Sequence, residues 1–124
     1  EAFDKFLLKG RPAFVRSENI SIAQAVAVTH AAGGIAVLAH PCQIRADKHA
    51  AVRAAVRDGI DGIEAFYPGT TEGERTLFLS LAQQYGLIVT CGSDFHGENR
   101  PAATLGCAFA PTPLLLPVFK RFMT

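Results

Sequence analysis

The sequence predicts an α/β fold of parallel strands alternating with helices, and three observations carry that reading. Residues 35–39, 61–66 and 87–91 are short, largely aliphatic runs flanked by glycines or polar residues, as buried strands are. The segments between them carry apolar residues at helical spacing, so the order is strand, helix, strand, with short loops. Two of the runs end in metal-ligand chemistry: His40-Pro41 follows the first, and Gly92-Ser93-Asp94-Phe95-His96-Gly97 follows the third. In parallel α/β folds the C-terminal ends of the strands are where sites collect.

Each element has its own local reason. Residues 1–9 place Phe3, Phe6 and Leu7 at helical spacing, with Gly10 as a stop. Residues 11–15 form a connector, extended before Pro12. Ser21 opens a helix with Gln24 three positions on, a capping box; Ile22, Ala25, Val26, Thr29 and Ala32 form its apolar stripe, and Gly33-Gly34 ends it. After the strand at 35–39, Asp47 caps a helix striped by Val52, Ala55 and Val56 and stopped at Gly59. The strand at 61–66 follows. Thr71 and Glu74 form a second capping box, for a helix turning Phe78, Leu81, Ala82 and Tyr85 inward up to Gly86. The strand at 87–91 comes next, and residues 105–109 suggest a fourth. In the apolar tail, 113–123, helix is expected only late, because Pro117 does not suit a helix interior.

Composition bounds the function. A chain of 124 residues buries roughly two-thirds of its unfolded surface, enough for a core. No apolar run approaches the ~18 residues of a membrane span, and the amphipathic, charged start lacks the pattern of a signal peptide. A net charge of +1 with interspersed signs argues against a duplex nucleic-acid footprint, while leaving room for a small nucleotide or an oligonucleotide end. Three cysteines, Cys42, Cys91 and Cys107, form no CxxC pair, which suggests a reducing, cytoplasmic setting; Cys91 reads as core. The chain does not begin with Met, which suggests a piece of a longer gene product.

The polar residues fall where chemistry would need them. His40 ends an aliphatic strand that has no use for an imidazole unless something binds it, although a core histidine bonded to a backbone carbonyl is the alternative. Asp94 and His96 are two apart, so an extended turn points both side chains one way. Imidazole with carboxylate suits Zn²⁺, Mn²⁺ or Fe²⁺. Glu64, in a strand with apolar neighbours, needs a partner: it either orients a ligand, faces substrate or forms a structural ion pair. Arg45, Asn99 and Arg100 follow the ligand motifs and are candidates for binding phosphate, which a guanidinium fork suits; plain surface charge is the alternative. Tyr67 is either a rim contact or packing. His30, near a helix C-terminus, reads as structural, and His49 as solvated.

Residues 31–41 (AAGGIAVLAHP), 61–68 (DGIEAFYP) and 86–97 (GLIVTCGSDFHG) are similar to the later motifs of the PHP family, the polymerase and histidinol phosphatase metal-dependent phosphoesterases. Residues 8–15 (LKGRPAFV), Asn99-Arg100-Pro101 and Leu105-Gly106 resemble its bacterial branch of nucleoside-bisphosphate phosphatases and 5′–3′ exoribonucleases. The resemblance implies a distorted (βα)7 barrel holding two or three metal ions at its strand ends. It assigns His40 to the family's His-Pro ligand, and Asp94 and His96 to its final Asp-x-His pair. The family's N-terminal His-x-His and its further ligands have no counterpart in this chain. Residues 1–124 therefore read as the C-terminal portion of a PHP phosphoesterase domain, inactive or nearly so alone. The expected cofactor is a divalent ion, Mn²⁺ first, with Zn²⁺ or Fe²⁺ as alternatives, and the expected partner is a small phosphorylated substrate, a nucleotide or an oligonucleotide end. A non-catalytic PHP-like module is the rival reading, and an amidohydrolase-type hydrolase a third. The chain departs from the branch at Cys42-Gln43-Ile44, where a Gly-containing turn is usual, and at Gly69-Thr70-Thr71, where a His is often found.

Overall fold

Helix starts are written in the side chains that precede them. The Ser21 hydroxyl accepts from the Gln24 N–H while Gln24 Oε1 accepts from the Ser21 N–H, opening α1 (Ile22–Ala31). Asp47 accepts from the Ala50 N–H to open α2 (Lys48–Arg57). Thr71 and Glu74 cap α3 (Glu72–Tyr85) reciprocally, and Gly86, with φ of 66°, supplies the left-handed residue that ends it. These caps stand where the sequence places them. The computed structural model describes residues 2–16, 19–99, 101 and 103–123, apart from the Phe122 side chain.

Three parallel strands, β1 (Val37–Leu38), β2 (Gly62–Phe66) and β3 (Ile88–Cys91), lie side by side in chain order. Val37 pairs with Gly62, and Glu64 with Thr90; a register irregularity falls between Glu64 and Phe66. Along β2, Ile63 and Ala65 are fully buried while Glu64 and Phe66 are half-buried, the period of two expected of a strand with unlike faces. The covered face packs against Val52 of α2 and Phe78, Leu81 and Ala82 of α3; Val26, Ala55 and Ile60 form a smaller cluster.

Four expectations change. The strand at 35–39 shortens to Val37–Leu38, with the Ala36 carbonyl accepting from the Asp61 and Gly62 N–H groups at its start and a left-handed residue at His40 ending it. Residues 105–109 form no strand: Gly106, with φ of 74°, breaks the extended path, and Leu105 and Phe109 stand exposed. The tail is helical earlier than expected, as α4 (Thr112–Phe122), with Pro117 inside it. Proline removes one helical hydrogen bond, but Pro113, Leu114 and Pro117 face Leu87, Ile88 and Val89 across an apolar cavity of about 510 Å³, and packing on β3 holds the helix. Near the N-terminus only a π-helical turn forms (Phe3–Leu7), its apolar residues stay exposed, and residues 11–14 turn back on residues 6–11 instead of extending.

Candidate metal centre

The loops leaving β1, β2 and β3 all emerge at the C-terminal edge of the sheet. His40 leaves β1 with φ 31° and ψ 56°, a conformation that costs a non-glycine residue about 1–3 kcal/mol and persists only where the surroundings impose it. Two contacts do so. Its N–H donates to Glu64 Oε2 at 2.7 Å, and Pro41, buried, starts a turn in which the Gln43 N–H returns to the His40 carbonyl at 3.0 Å. The imidazole lies 5.7 Å from the Tyr67 ring, tilted by 59°. Gln43 Nε2 donates to the Tyr67 hydroxyl at 2.8 Å, so the residues after β1 and β2 are tied together.

The loop after β3 repeats the pattern. Asp94 is the other non-glycine residue with positive φ among those described, at 53°. It is not extended, as the sequence reading assumes. The left-handed turn brings His96 Nδ1 against the Asp94 carbonyl oxygen, with Asp94 Oδ1 3.6 Å from the same nitrogen. With the proton on Nδ1, the ring donates to that carbonyl and keeps its lone pair on Nε2, the state a metal-binding imidazole needs.

Glu64 lies between the two loops. It sits in the central strand, so its carboxylate reaches both neighbours: Oε2 holds the His40 N–H, and Oε1 lies where a β-carbon on Gly92 would be, 2.5 Å away. Gly92 is thus a close-approach position, and its place just before the Ser-Asp-Phe-His run is the only sign of this in the sequence.

The candidate residues fall into pairs. The structure joins His40 with Glu64, and Asp94 with His96. It does not gather three: among the described residues no group of three His, Cys, Asp or Glu side chains is placed to hold a metal ion. The donor types, two imidazoles and a carboxylate, suit a divalent ion, while their number fills only part of a coordination shell. Arg45 and Asn99 are exposed beyond these loops, Asn99 in the short turn Gly97–Asn99; Arg100 lies outside the described residues. His49 is exposed.

His30 does more than face a helix dipole. Its Nε2 meets Asp61 Oδ2 at 2.7 Å, the same oxygen that accepts from the Ala36 N–H at 2.7 Å, and Arg121 approaches Oδ1 at 3.7 Å. Burial raises the Asp61 pKa, but the Ala36 N–H, His30 and Arg121 outweigh it and leave it below the usual carboxylate value. This knot lies at the opposite end of the sheet from His40. Its partners are 25 to 60 positions apart in sequence, so no local motif announces it.

No family model matches the chain. It is 37% identical over 100 residues to a 5′–3′ exoribonuclease of Haemophilus influenzae, covering 77% of this chain and 36% of that protein. It is 28% identical over 122 residues to a 3′,5′-nucleoside bisphosphate phosphatase of Chromobacterium violaceum, covering 96% of this chain and 43% of the relative. The chain thus spans less than half the length of these relatives. A crystal structure described as a metal-dependent phosphoesterase, from Bifidobacterium adolescentis, superposes with a TM-score of 0.73 at 26% identity over 97% of this chain and 43% of that one. The strand-end histidines and aspartate, the parallel sheet that carries them and these likenesses agree: the chain belongs to the PHP-type metal-dependent phosphoesterases and corresponds to the C-terminal part of their barrel.

Proposed function

We propose that this chain is the C-terminal part of a hydrolase that cleaves phosphate esters of nucleotides or short oligonucleotides in the cytoplasm, with a divalent ion as cofactor. The observation that carries the reading is the pair of left-handed residues, His40 and Asp94, beyond the ends of the two strands that flank β2, whose Glu64 holds the His40 N–H and lies close to Gly92. Backbone strain of this kind collects where geometry serves function. The names of the relatives, an exoribonuclease and a bisphosphate phosphatase, support the substrate class.

In this reading His40, Asp94 and His96 hold metal, and the N-terminal part of the domain completes the shell. A bound divalent ion, Mn²⁺ with Zn²⁺ or Fe²⁺ as alternatives, supplies a water acidified to a pKa near ~7 and neutralises phosphoryl charge. The chain's own residues prepare the place. Glu64 fixes the His40 backbone, and the Asp94 carbonyl holds His96 Nδ1, which with the proton on that nitrogen leaves the Nε2 lone pair for a metal. Arg45, Asn99 and Arg100 are proposed to meet the phosphate, the arginines as bidentate donors.

The test is Asp94→Asn in the full-length protein, with kcat and thermal melting measured with Mn²⁺ and with Zn²⁺. An amide cannot supply the carboxylate's charge, so activity should fall by orders of magnitude while the melt stays put, since Asp94 lies beyond the end of β3 and outside the buried core. Near-normal activity would refute the ligand assignment. A second reading, a non-catalytic PHP-like module, draws on the absence of a gathered triad among the described residues. Wild-type protein that turns over no phosphate ester with either metal would favour it.

A further inference from the structure

Beside the candidate metal centre is a cavity of about 340 Å³ that the chemistry above does not use. Phe66 and Tyr67 at the end of β2, Arg75 in the first turns of α3, and Cys107, Phe109 and Pro111 ahead of α4 line it. We propose that this cavity is a stacking subsite for the aromatic base of a nucleotide substrate. The proposal rests on the phosphoesterase reading and names the part of the substrate that lies away from the phosphate.

Four observations lead there. First, the cavity shares Tyr67 with the centre: one side of the residue lines the cavity, and its ring lies 5.7 Å from the His40 ring. A ligand in the cavity is therefore next to whatever His40 holds. Second, three of the lining residues are aromatic, and a volume of this size is at the low end of those that enclose small ligands. Third, Arg75 is held by two neighbours, while its buried Nε–H has no hydrogen-bond partner among the described residues. Its guanidinium carbon lies 5.4 Å from the Phe66 ring centroid, and its NH1 pairs with Glu72 Oε2 at 2.7 Å. Arg75 thus offers a base a planar face beside an aromatic ring and one N–H donor without a partner. Fourth, Phe109 is 81% exposed although it lines the cavity, so it has apolar surface to lose when a flat ring enters. Stacking on such surfaces tolerates any base, so the subsite should grip nucleotides without choosing strongly among them.

The test is an amide NMR titration of the full-length protein with adenosine, which carries no phosphate, and with ribose 5-phosphate, which carries no base, alongside Phe109→Ala. Phe109 is exposed, so the variant should fold as wild type. Adenosine should move the amides of Tyr67, Arg75 and Cys107, and Phe109→Ala should weaken its binding roughly fivefold to a hundredfold. The same variant should raise KM for a nucleotide and leave turnover of ribose 5-phosphate unchanged. Adenosine that leaves those amides unmoved, or ribose 5-phosphate that moves them as much, overturns the subsite even if phosphate esters are hydrolysed. Adenosine bound in the cavity of a protein that hydrolyses no phosphate ester supports the subsite and defeats the phosphoesterase reading alone.

Discussion

Gly92→Ala is a sharp probe of the close approach between Glu64 and the loop after β3. The added β-carbon would lie 2.5 Å from Glu64 Oε1 and 3.7 Å from its Cδ. Comfortable contact needs about 3.5 Å, so the carboxylate must retreat by about 1 Å. Glu64 is not free to retreat, since Oε2 is held 2.7 Å from the His40 N–H, and a shift of that size takes the pair out of hydrogen-bond range. Losing a hydrogen bond to a charged group costs about 1.5–3 kcal/mol. Gly92 is absent from the residues with positive φ, so the backbone itself accepts alanine, and the cost should come from the carboxylate. The assay is urea unfolding at pH 7 of wild type, Gly92→Ala, Glu64→Ala and the double variant. Gly92→Ala should cost about 1.5–3 kcal/mol in wild type and about 0.5 kcal/mol or less in the Glu64→Ala background, where there is nothing to strike. Equal costs in both backgrounds would refute the coupling through Glu64.

Phe78 is fully buried between α3 and the sheet, so Phe78→Ala should lower stability by about 3–5 kcal/mol in the same assay, and a loss under 1 kcal/mol would mean the core is not where the buried residues place it. Asp61 carries a pH signature. Its folded pKa is below the usual carboxylate value, so its contribution is complete above that value and is lost as pH falls through the lowered folded one. Wild type should therefore be more stable than Asp61→Asn near neutral pH, with the gap closing as urea midpoints are followed below about pH 4. A gap that stays constant down to pH 2 would show that the ionised carboxylate contributes nothing.

What the sequence disclosed follows the range of its forces. Ser21–Gln24, Asp47 and Thr71–Glu74 act within one helical turn, and each cap stands where it reads. Likewise β2 and β3 are runs whose burial the pattern declares. The failures are of longer range. Nothing local says that packing on β3 would carry α4 through Pro117, or that Phe3, Phe6 and Leu7 would find no cover among the described residues. At the centre, the strand-end motifs mark His40, Asp94 and His96 as singular, but left-handed geometry at two of them is a property of the turns and not of the spacing. Glu64 is visible as a carboxylate among apolar neighbours, whereas its hold on the His40 N–H needs the alignment of β1 beside β2.

The Asp61 knot has a bearing on how such a chain changes over generations. It fastens the end of α1, the entry to β1 and the tail of α4 at the floor of the sheet, with side chains that take no part in the rim. Changes in the loops that leave β2 and β3 therefore leave these contacts intact, since none of the Asp61 partners lies in those loops.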